Sequence, residues 1–418
     1  MRTTLSDFER FVLSSFIGIS SDYWEYDPEI YNTVGIFAKF IDEKYGLPIV
    51  IIGTKTNAAE VFVFTESDRP LVVLDLSYLD NVFALRSTFR SGDVNFLTLA
   101  YSSIFSGIIG QQLVFRGITQ LAHRAFRLAY CRGVVVPVQY AGIEMEMAPL
   151  DENYLTAWFF ALCHEIAHII IISPQKEFTD KVCLLDKKLE IDPRIWSYSN
   201  INFFLTPEYL IDKRRKQLRT EILCDCIAIE ILFEFSVFFS KDFGLSLSVE
   251  RMTESILMTF FAMLNHEMCS LITVNLARTK TPQYSFYEDF ELRLDMVCRQ
   301  LILLHEQEHQ YFEYYLQEKL DEILSFYKKI VMPSLETVNS SLQTRPYQKP
   351  SADAADTRLQ VQARFPIMST IENVQILRHT SEGDGNLADI YLKMADDVFI
   401  SCCRQSNIMD SYIRNLVS

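Results

Sequence analysis

Two histidines four residues apart, with a glutamate directly after the first, form the most informative pattern in this chain. His164, Glu165 and His168 spell H-E-x-x-H inside the apolar run AWFFALCHEIAHIIII, residues 157–172, which contains no Gly or Pro. Such a run predicts a buried helix, and residues four apart lie on one face of a helix. Both imidazoles can therefore point at one metal ion. Glu165 is turned about 100° away, close enough to hold a water without binding the metal.

Zinc suits this pattern, because it accepts imidazole and carboxylate ligands in a tetrahedral shell with one position left open in catalytic sites. The alternative interpretation is a core helix that contains two buried histidines. Burying two imidazoles and a carboxylate without a partner is costly. The motif in its apolar context therefore favours the metal site.

A second helix is expected to supply the third ligand. Glu221 and Asp225 are also four residues apart, in the segment RTEILCDCIAIEIL, residues 219–232. Glu221 would complete a shell of two histidines and one glutamate, and Asp225 would accept a hydrogen bond from the far nitrogen of a ligand histidine. The alternative is a pair of exposed helix acids. The apolar residues on both sides of the pair argue against it.

The order of these segments resembles a known family. H-E-x-x-H followed by E-x-x-x-D on a second helix resembles the gluzincin metallopeptidases. The order HEIAHIIIISP, RTEILCDCIAIEIL, SILMTFFAMLNHEMCSL and TPQYSFYEDFELRLD resembles the phage-exclusion peptidases of the Lit type, loosely over residues 61–293. Those relatives carry a His-Pro where this chain has Thr281-Pro282, and a downstream Arg for which Arg293 is the candidate.

This resemblance implies a zinc-dependent endopeptidase that cuts a protein substrate during phage infection. His164, His168 and Glu221 would hold Zn²⁺, and Glu165 would move a proton from water to the leaving amine. A further donor is needed for the oxyanion. The candidates for that donor, or for a substrate contact, are Tyr284, Tyr287, His266 and Arg293.

A function from another class stays open. The same residues would suit a non-proteolytic, zinc-stabilised protein that regulates or binds a partner. A structural zinc site is normally closed by four protein ligands, whereas a catalytic site has three and an open position. A closed fourth position would favour the regulator.

The composition of the chain indicates which kind of partner and which cellular compartment to expect. The net charge of -15 and the pI of about 5.0 argue against nucleic acid, which calls for a basic surface. The nine cysteines are irregularly spaced and the start MRTTLSDFER shows no signal peptide, so we expect reduced thiols in the cytoplasm. Cys163, Cys224 and Cys226 neighbour the proposed ligands and are expected to serve as small apolar packing residues.

The fold class expected from the whole chain is α+β and mostly helical, with a small N-terminal sheet packed against a zincin-like helical catalytic core. The runs 47–52, 60–64 and 70–76 are β-branched or alternating, and turn residues such as Gly53-Thr54 bound them, which predicts strands. By the zincin resemblance, an edge strand of such a sheet would bind the substrate backbone. The segment 133–138 is a candidate for one more strand.

Four regions are expected along the chain. Residues 1–150 form an N-terminal α+β region that carries the sheet, and 151–332 form the helical zinc region. Residues 333–357 are rich in Ser, Thr, Pro and Asp, which predicts a linker. Residues 358–418 are expected to form a helical tail.

A second H-E-x-x-H pattern occurs at residues 305–309. It lies in LILLHEQEHQYFEYYLQEKLDEILSFYKKI, whose periodicity predicts one long amphipathic helix. Charge follows the motif, and Glu318 and Glu322 are on the same polar segment. We therefore predict that His305 and His309 belong to a solvated helix face, with a structural metal as the alternative.

Two apolar segments are candidates for membrane spans. Residues 97–110 are too short, and residues 256–276 are interrupted by Asn265, His266 and Glu267. A span needs about 20 apolar residues with few charges. We expect both segments to be buried helices and membrane insertion to be the minor alternative.

Overall fold

The computed structural model describes a mostly helical protein with one small sheet, which confirms that part of the expected fold class. The described residues are 28–54, 61–64, 70–75, 77–92, 94, 97, 101, 104–105, 107–108, 152–172, 176–190, 208–243, 248–277, 286–305 and 309–336. The helices are α1 (Pro28–Tyr45), α2 (Ser77–Ser91), α3 (Glu152–Ile172), α4 (Lys176–Glu190), α5 (Glu208–Phe243), α6 (Val249–Ala277), α7 (Phe286–Leu304) and α8 (His309–Phe326). The expected strand at 133–138, the boundary near residue 150 and the tail 358–418 lie outside the described residues.

Three short strands form the sheet, β1 (Val50–Thr54), β2 (Val61–Phe64) and β3 (Leu71–Asp75). β3 lies in the middle, parallel to β1 and antiparallel to β2. All three overlap the predicted strands. The interpretation of Gly53-Thr54 as a turn is wrong, because these residues continue β1 and pair with Leu74 and Asp75.

The H-E-x-x-H helix α3 lies at the centre of the packing. Its residues from Thr156 to Cys163 are all buried, as expected for a helix that is apolar on every face. α3 contacts α5, α6 and α2, and strands β2 and β3 lie against it. The helix ends at Ile172, before Ser173-Pro174, where proline disfavours further helix.

Aromatic rings fix α1, α3 and α5 against each other. The ring centroid of Phe37 on α1 lies 5.1 Å from Phe159 on α3 and 4.9 Å from Phe235 on α5, and Phe159 and Phe235 are 4.6 Å apart. Such tilted and edge-on pairs add to the stabilisation from burial alone. Because Phe159 is five residues before His164, this cluster sets the spacing of the two helices that carry the proposed ligands.

One hydrophobic core joins the N-terminal elements to the helical region. It contains Val34 and Phe37 from α1, Val72 from the sheet, and residues as late as Leu335. The described parts of the regions 1–150 and 151–332 therefore pack against each other in one hydrophobic core.

The first residues of the predicted linker, 333–336, are helical in the structure. After α8 the chain makes a π-helical turn, Tyr327–Val331, and residues 332–336 are again helical. Leu335 is only 2% exposed, and the Ser334 hydroxyl donates to the carbonyl of Ile330 at 2.8 Å. Burial of Leu335 explains why the helix continues past Pro333. The remainder of the predicted linker lies outside the described residues.

One described segment, Val249–Thr273 in α6, has the length and mean hydropathy of a membrane span, and 61% of its apolar window is buried inside the protein. α6 packs against α3, α7, α2 and α8. A central core helix has the same composition, so this similarity to a membrane span is weak.

Candidate metal centre

Helix α3 presents the two histidines of the first motif side by side. The ring centroids of His164 and His168 are 5.1 Å apart, and both side chains are partly buried. Continuous helix from Glu152 to Ile172 is the reason, because it places residues four apart on one face.

Helix α5 brings a carboxylate to the same place. Oε2 of Glu221 lies 3.3 Å from Nε2 of His164, and Oε1 lies 3.7 Å from Nε2 of His168. One donor atom from each of the three residues can be chosen so that all lie within 4.8 Å of one another. Two imidazole nitrogens and one carboxylate oxygen thus converge on one small volume.

Asp225 lies one helical turn after Glu221 and contacts the other side of His164. Its Oδ1 is 2.9 Å from Nδ1 of His164, and the residue is 1% exposed. Nδ1–H of His164 donates to this carboxylate, which directs Nε2 toward Glu221. A carboxylate behind a histidine in this way fixes the tautomer and the ring orientation of a metal ligand.

Arg293 reaches the same two acids from α7. Its Nε and Nη2 each lie 2.8 Å from one oxygen of Asp225, and Nη1 lies 3.4 Å from Oε2 of Glu221. The side chain is 2% exposed. Arg293 was a candidate for the oxyanion or the substrate, and the structure places its guanidinium against Asp225 and Glu221.

The titratable residues of this cluster shift one another's pKa values. Burial acts to lower the pKa of His164, but hydrogen bonds to Asp225 and Glu221 outweigh it and raise that pKa. Burial acts to raise the pKa of Glu221, but His164 and Arg293 outweigh it and lower that pKa. Burial and the charge of His164 lower the pKa of His168. Glu221 is therefore ionised and His168 neutral near pH 7, as metal ligands must be, whereas zinc would displace a proton from His164.

The donor set fits zinc. Zinc accepts two neutral imidazoles and one carboxylate as ligands, and three protein ligands leave one position of its tetrahedral shell open. Neighbouring thiols are poor competitors for the metal. Burial, as the first cause, raises the pKa of Cys163, Cys224 and Cys226, so these residues stay protonated and pack as small apolar side chains.

Glu165 directly follows His164 on α3. It is partly exposed, unlike Ile166 and Ala167, which are buried. Its charge, after burial and the charges of Glu221 and Asp225, acts to raise the pKa of the Cys224 thiol on α5. The sequence therefore places a partly exposed carboxylate directly after the first of the two histidines.

The structure describes the side chain of only one of the three remaining candidates for an oxyanion or substrate contact. His266 is on α6, and its Nε2 is buried with no hydrogen-bond partner among the described residues. Burial lowers the pKa of His266 to about 4, so its ring is neutral near pH 7. Tyr284 lies outside the described residues. Tyr287 is within α7, and its side chain is outside them.

The second H-E-x-x-H motif does not lie on one helix, so the prediction of a single long amphipathic helix is wrong. α7 ends at Leu304, His305 is in a turn whose N–H donates to the Ile302 carbonyl at 3.0 Å, and α8 begins at His309. The ring of His305 packs between Phe233 and Phe312, with centroids 5.4 and 4.2 Å away. The prediction of a solvated face is therefore also wrong for His305, because its ring is packed against two aromatic rings.

The buried position of Arg293 had a signal in the sequence. Phe290, Leu294, Val297 and Leu301 follow a helical period and are all buried. Arg293 lies on the same helical face, three residues after Phe290 and four residues before Val297. A buried arginine requires an acidic partner, and Asp225 was the acid in an equally apolar segment.

No family model, no curated protein and no solved structure matches this chain.

Proposed function

We propose that this protein is a zinc-dependent endopeptidase that hydrolyses a peptide bond in a protein substrate. His164, His168 and Glu221 are the proposed zinc ligands, and Glu165 is the proposed general base. The observation that carries the proposal is the convergence of three donors within 4.8 Å, together with Glu165, which directly follows His164 on α3 and is partly exposed. The zincin-like character of the helical core belongs to the same proposal and is supported by the H-E-x-x-H and E-x-x-x-D motifs on packed helices.

The residues of this chain would divide the reaction between them. Zinc, when bound, supplies a Lewis acid that polarises the scissile carbonyl and acidifies water. Glu165 takes the proton from the attacking water and gives it to the leaving amine. Asp225 keeps the His164 ring in the orientation that presents Nε2 to the site. Nε2 of His266 is buried without a hydrogen-bond partner among the described residues, and within them no hydrogen bond or ion pair links it to this cluster.

The sheet offers a place for the substrate backbone. Among the described strands β1 and β2 are at the edges, and β2 also packs against α3. An extended peptide can add to an exposed edge through backbone hydrogen bonds. We assign this role to β2, because it joins an edge position to contact with the helix that carries Glu165.

The biological setting is proposed from the resemblance to phage-exclusion peptidases alone. It suggests a host protein as the substrate, a cytoplasmic location and a role in phage defence. The net charge of -15 is consistent with a protein partner and not with nucleic acid.

Glu165→Gln tests the enzyme against the alternative of a zinc-stabilised regulator. The change nearly preserves size and hydrogen bonding but removes the base. We expect zinc content and thermal unfolding to stay at wild-type levels, while cleavage falls at least about 100-fold. Cleavage is measured in cells that express each variant, by comparing their proteomes for a new protein terminus.

Glu318→Gln is the matched control, because it makes the same chemical change at an exposed position on α8. It should produce the same new terminus as the wild type. If Glu165→Gln also produces that terminus at the wild-type rate while holding zinc, or if the wild type produces none, the peptidase proposal fails and the regulator is favoured.

A further inference from the structure

A single buried arginine connects Glu221 and Asp225 of α5. Arg293 donates from Nε and Nη2 to both oxygens of Asp225, at 2.8 Å each, and its Nη1 lies 3.4 Å from Oε2 of Glu221. The guanidinium is planar and carries its five donors in a fixed fork. One side chain can therefore set the positions of two carboxylates relative to each other.

The guanidinium is itself held in place. Its Cζ lies 5.9 Å from the centre of the Phe260 ring on α6, and Phe260 is fully buried. On α7 the neighbouring residues Phe290, Leu294 and Val297 are buried as well. Because the arginine is packed on these sides, its fork has little freedom to turn away from Asp225.

We infer that Arg293 is a positioning residue of the metal centre and not a contact for the substrate. By holding Asp225 it fixes the ring of His164, and by reaching Glu221 it fixes the third ligand, so both are in place before the metal binds. This inference rests on the proposed zinc site and adds a residue to it that binds no metal.

Geometry, and not charge, is what Arg293 offers to zinc. Glu221 and Asp225 are one helical turn apart and largely buried, and a nearby cation relieves the repulsion between them. The same positive charge repels a dication, so it does not attract zinc. The benefit must then come from the fixed fork, which lysine lacks although it keeps the charge.

Arg293→Lys is consequently the decisive variant, and Arg299→Lys is its matched control. Arg299 is on the same helix and pairs with Asp295 at 3.0 Å, but its side chain is 59% exposed. The full-length wild type and both variants would be stripped with a chelator. They are then titrated with Zn²⁺ in competition with a chelating dye, and separately with Co²⁺, whose visible spectrum reports the geometry of its ligands.

For Arg293→Lys we expect the zinc affinity to fall by about 10-fold or more, in the range typical of residues that orient ligands, and the cobalt spectrum to change. Arg299→Lys should match the wild type in both measurements. Wild-type affinity and an unchanged cobalt spectrum in Arg293→Lys would overturn the inference while leaving the zinc site intact. Failure of the wild type to bind either metal would overturn the inference and the proposed function together.

A second variant guards against a folding defect in Arg293→Lys. The double change Asp225→Asn with Arg293→Gln removes both charges, so neither is left buried without its partner. We expect it to fold, to bind zinc more weakly than Asp225→Asn alone because Glu221 also loses its arginine, and to alter the cobalt spectrum. If it binds zinc as tightly as the wild type with the same cobalt spectrum, the positioning role is excluded.

Discussion

The two H-E-x-x-H motifs of this chain have the same pattern and different structures. The first lies inside the continuous helix α3, with His164 and His168 on one face. The second spans a helix end: His305 is in the turn after α7 and His309 is the first residue of α8. Residues four apart share a face only where the helix continues between them, so only the first motif has the helical geometry that the metal-site hypothesis requires.

The surroundings of the two motifs explain the difference. Around His164 the helix is apolar and buried, and α5 supplies Glu221 and Asp225. Around His305 two aromatic rings, Phe233 and Phe312, occupy the contact positions. In the part of the chain that the structure describes, three metal-binding donors converge only at the first motif.

The largest expected effect separates the motifs by zinc content. His164→Ala removes one of the three proposed ligands and should reduce zinc from about one ion per chain to none retained after dialysis. His305→Ala should keep about one zinc per chain. Metal content is measured by elemental analysis of purified, dialysed protein.

A reversed result would break the comparison. If His305→Ala alone loses the zinc, the second motif holds the metal and the site on α3 is wrong. Circular dichroism of both variants provides the necessary control, because loss of helix would make the zinc content of an unfolded chain uninformative about ligands.

Much of the centre could be predicted from the sequence because local rules apply to it. The helix α3 follows from its apolar run, and the pairs His164/His168 and Glu221/Asp225 follow from helical spacing. The three predicted strands overlap the observed ones for a similar reason, since short β-branched runs are a local signal.

Other features depend on contacts between distant segments. The break at His305 was hidden by an amphipathic period that continues across it, and packing against Phe233, 72 positions earlier, is not visible in that period. The pairing of Arg293 with Asp225 crosses 68 positions. Gly53-Thr54 reads as a turn, yet pairing with β3 keeps it in the strand. In each case a tertiary contact outweighs the local preference.

A smaller effect on zinc binding is expected from a change at Asp225, the acid that contacts His164 of the first motif. Asp225→Asn keeps the size of the side chain but weakens the hydrogen bond that orients His164. We expect the zinc affinity to fall by about 10- to 100-fold without abolishing the site. It is measured by competition with a chelating dye.

Asp295→Asn is the control for this change, because Asp295 is a partly exposed acid on α7 that pairs with Arg299. Its zinc affinity should equal that of the wild type. An Asp225→Asn protein that also binds zinc with wild-type affinity would show that the contact at 2.9 Å does not tune the site.

The smallest effect should appear at the second motif, and only in stability. His305→Ala removes a ring that packs between Phe233 and Phe312, and aromatic contacts of this kind contribute about 1 kcal/mol. We expect urea unfolding to show a loss of about that size in the free energy of unfolding, with the zinc content unchanged. His305→Phe keeps an aromatic ring and should unfold closer to the wild type, whereas Glu318→Ala, at an exposed position on α8, should change stability by less than about 0.5 kcal/mol. If His305→Ala is as stable as the wild type, the ring is not a packing element, and the contrast between the two motifs would rest on the metal alone.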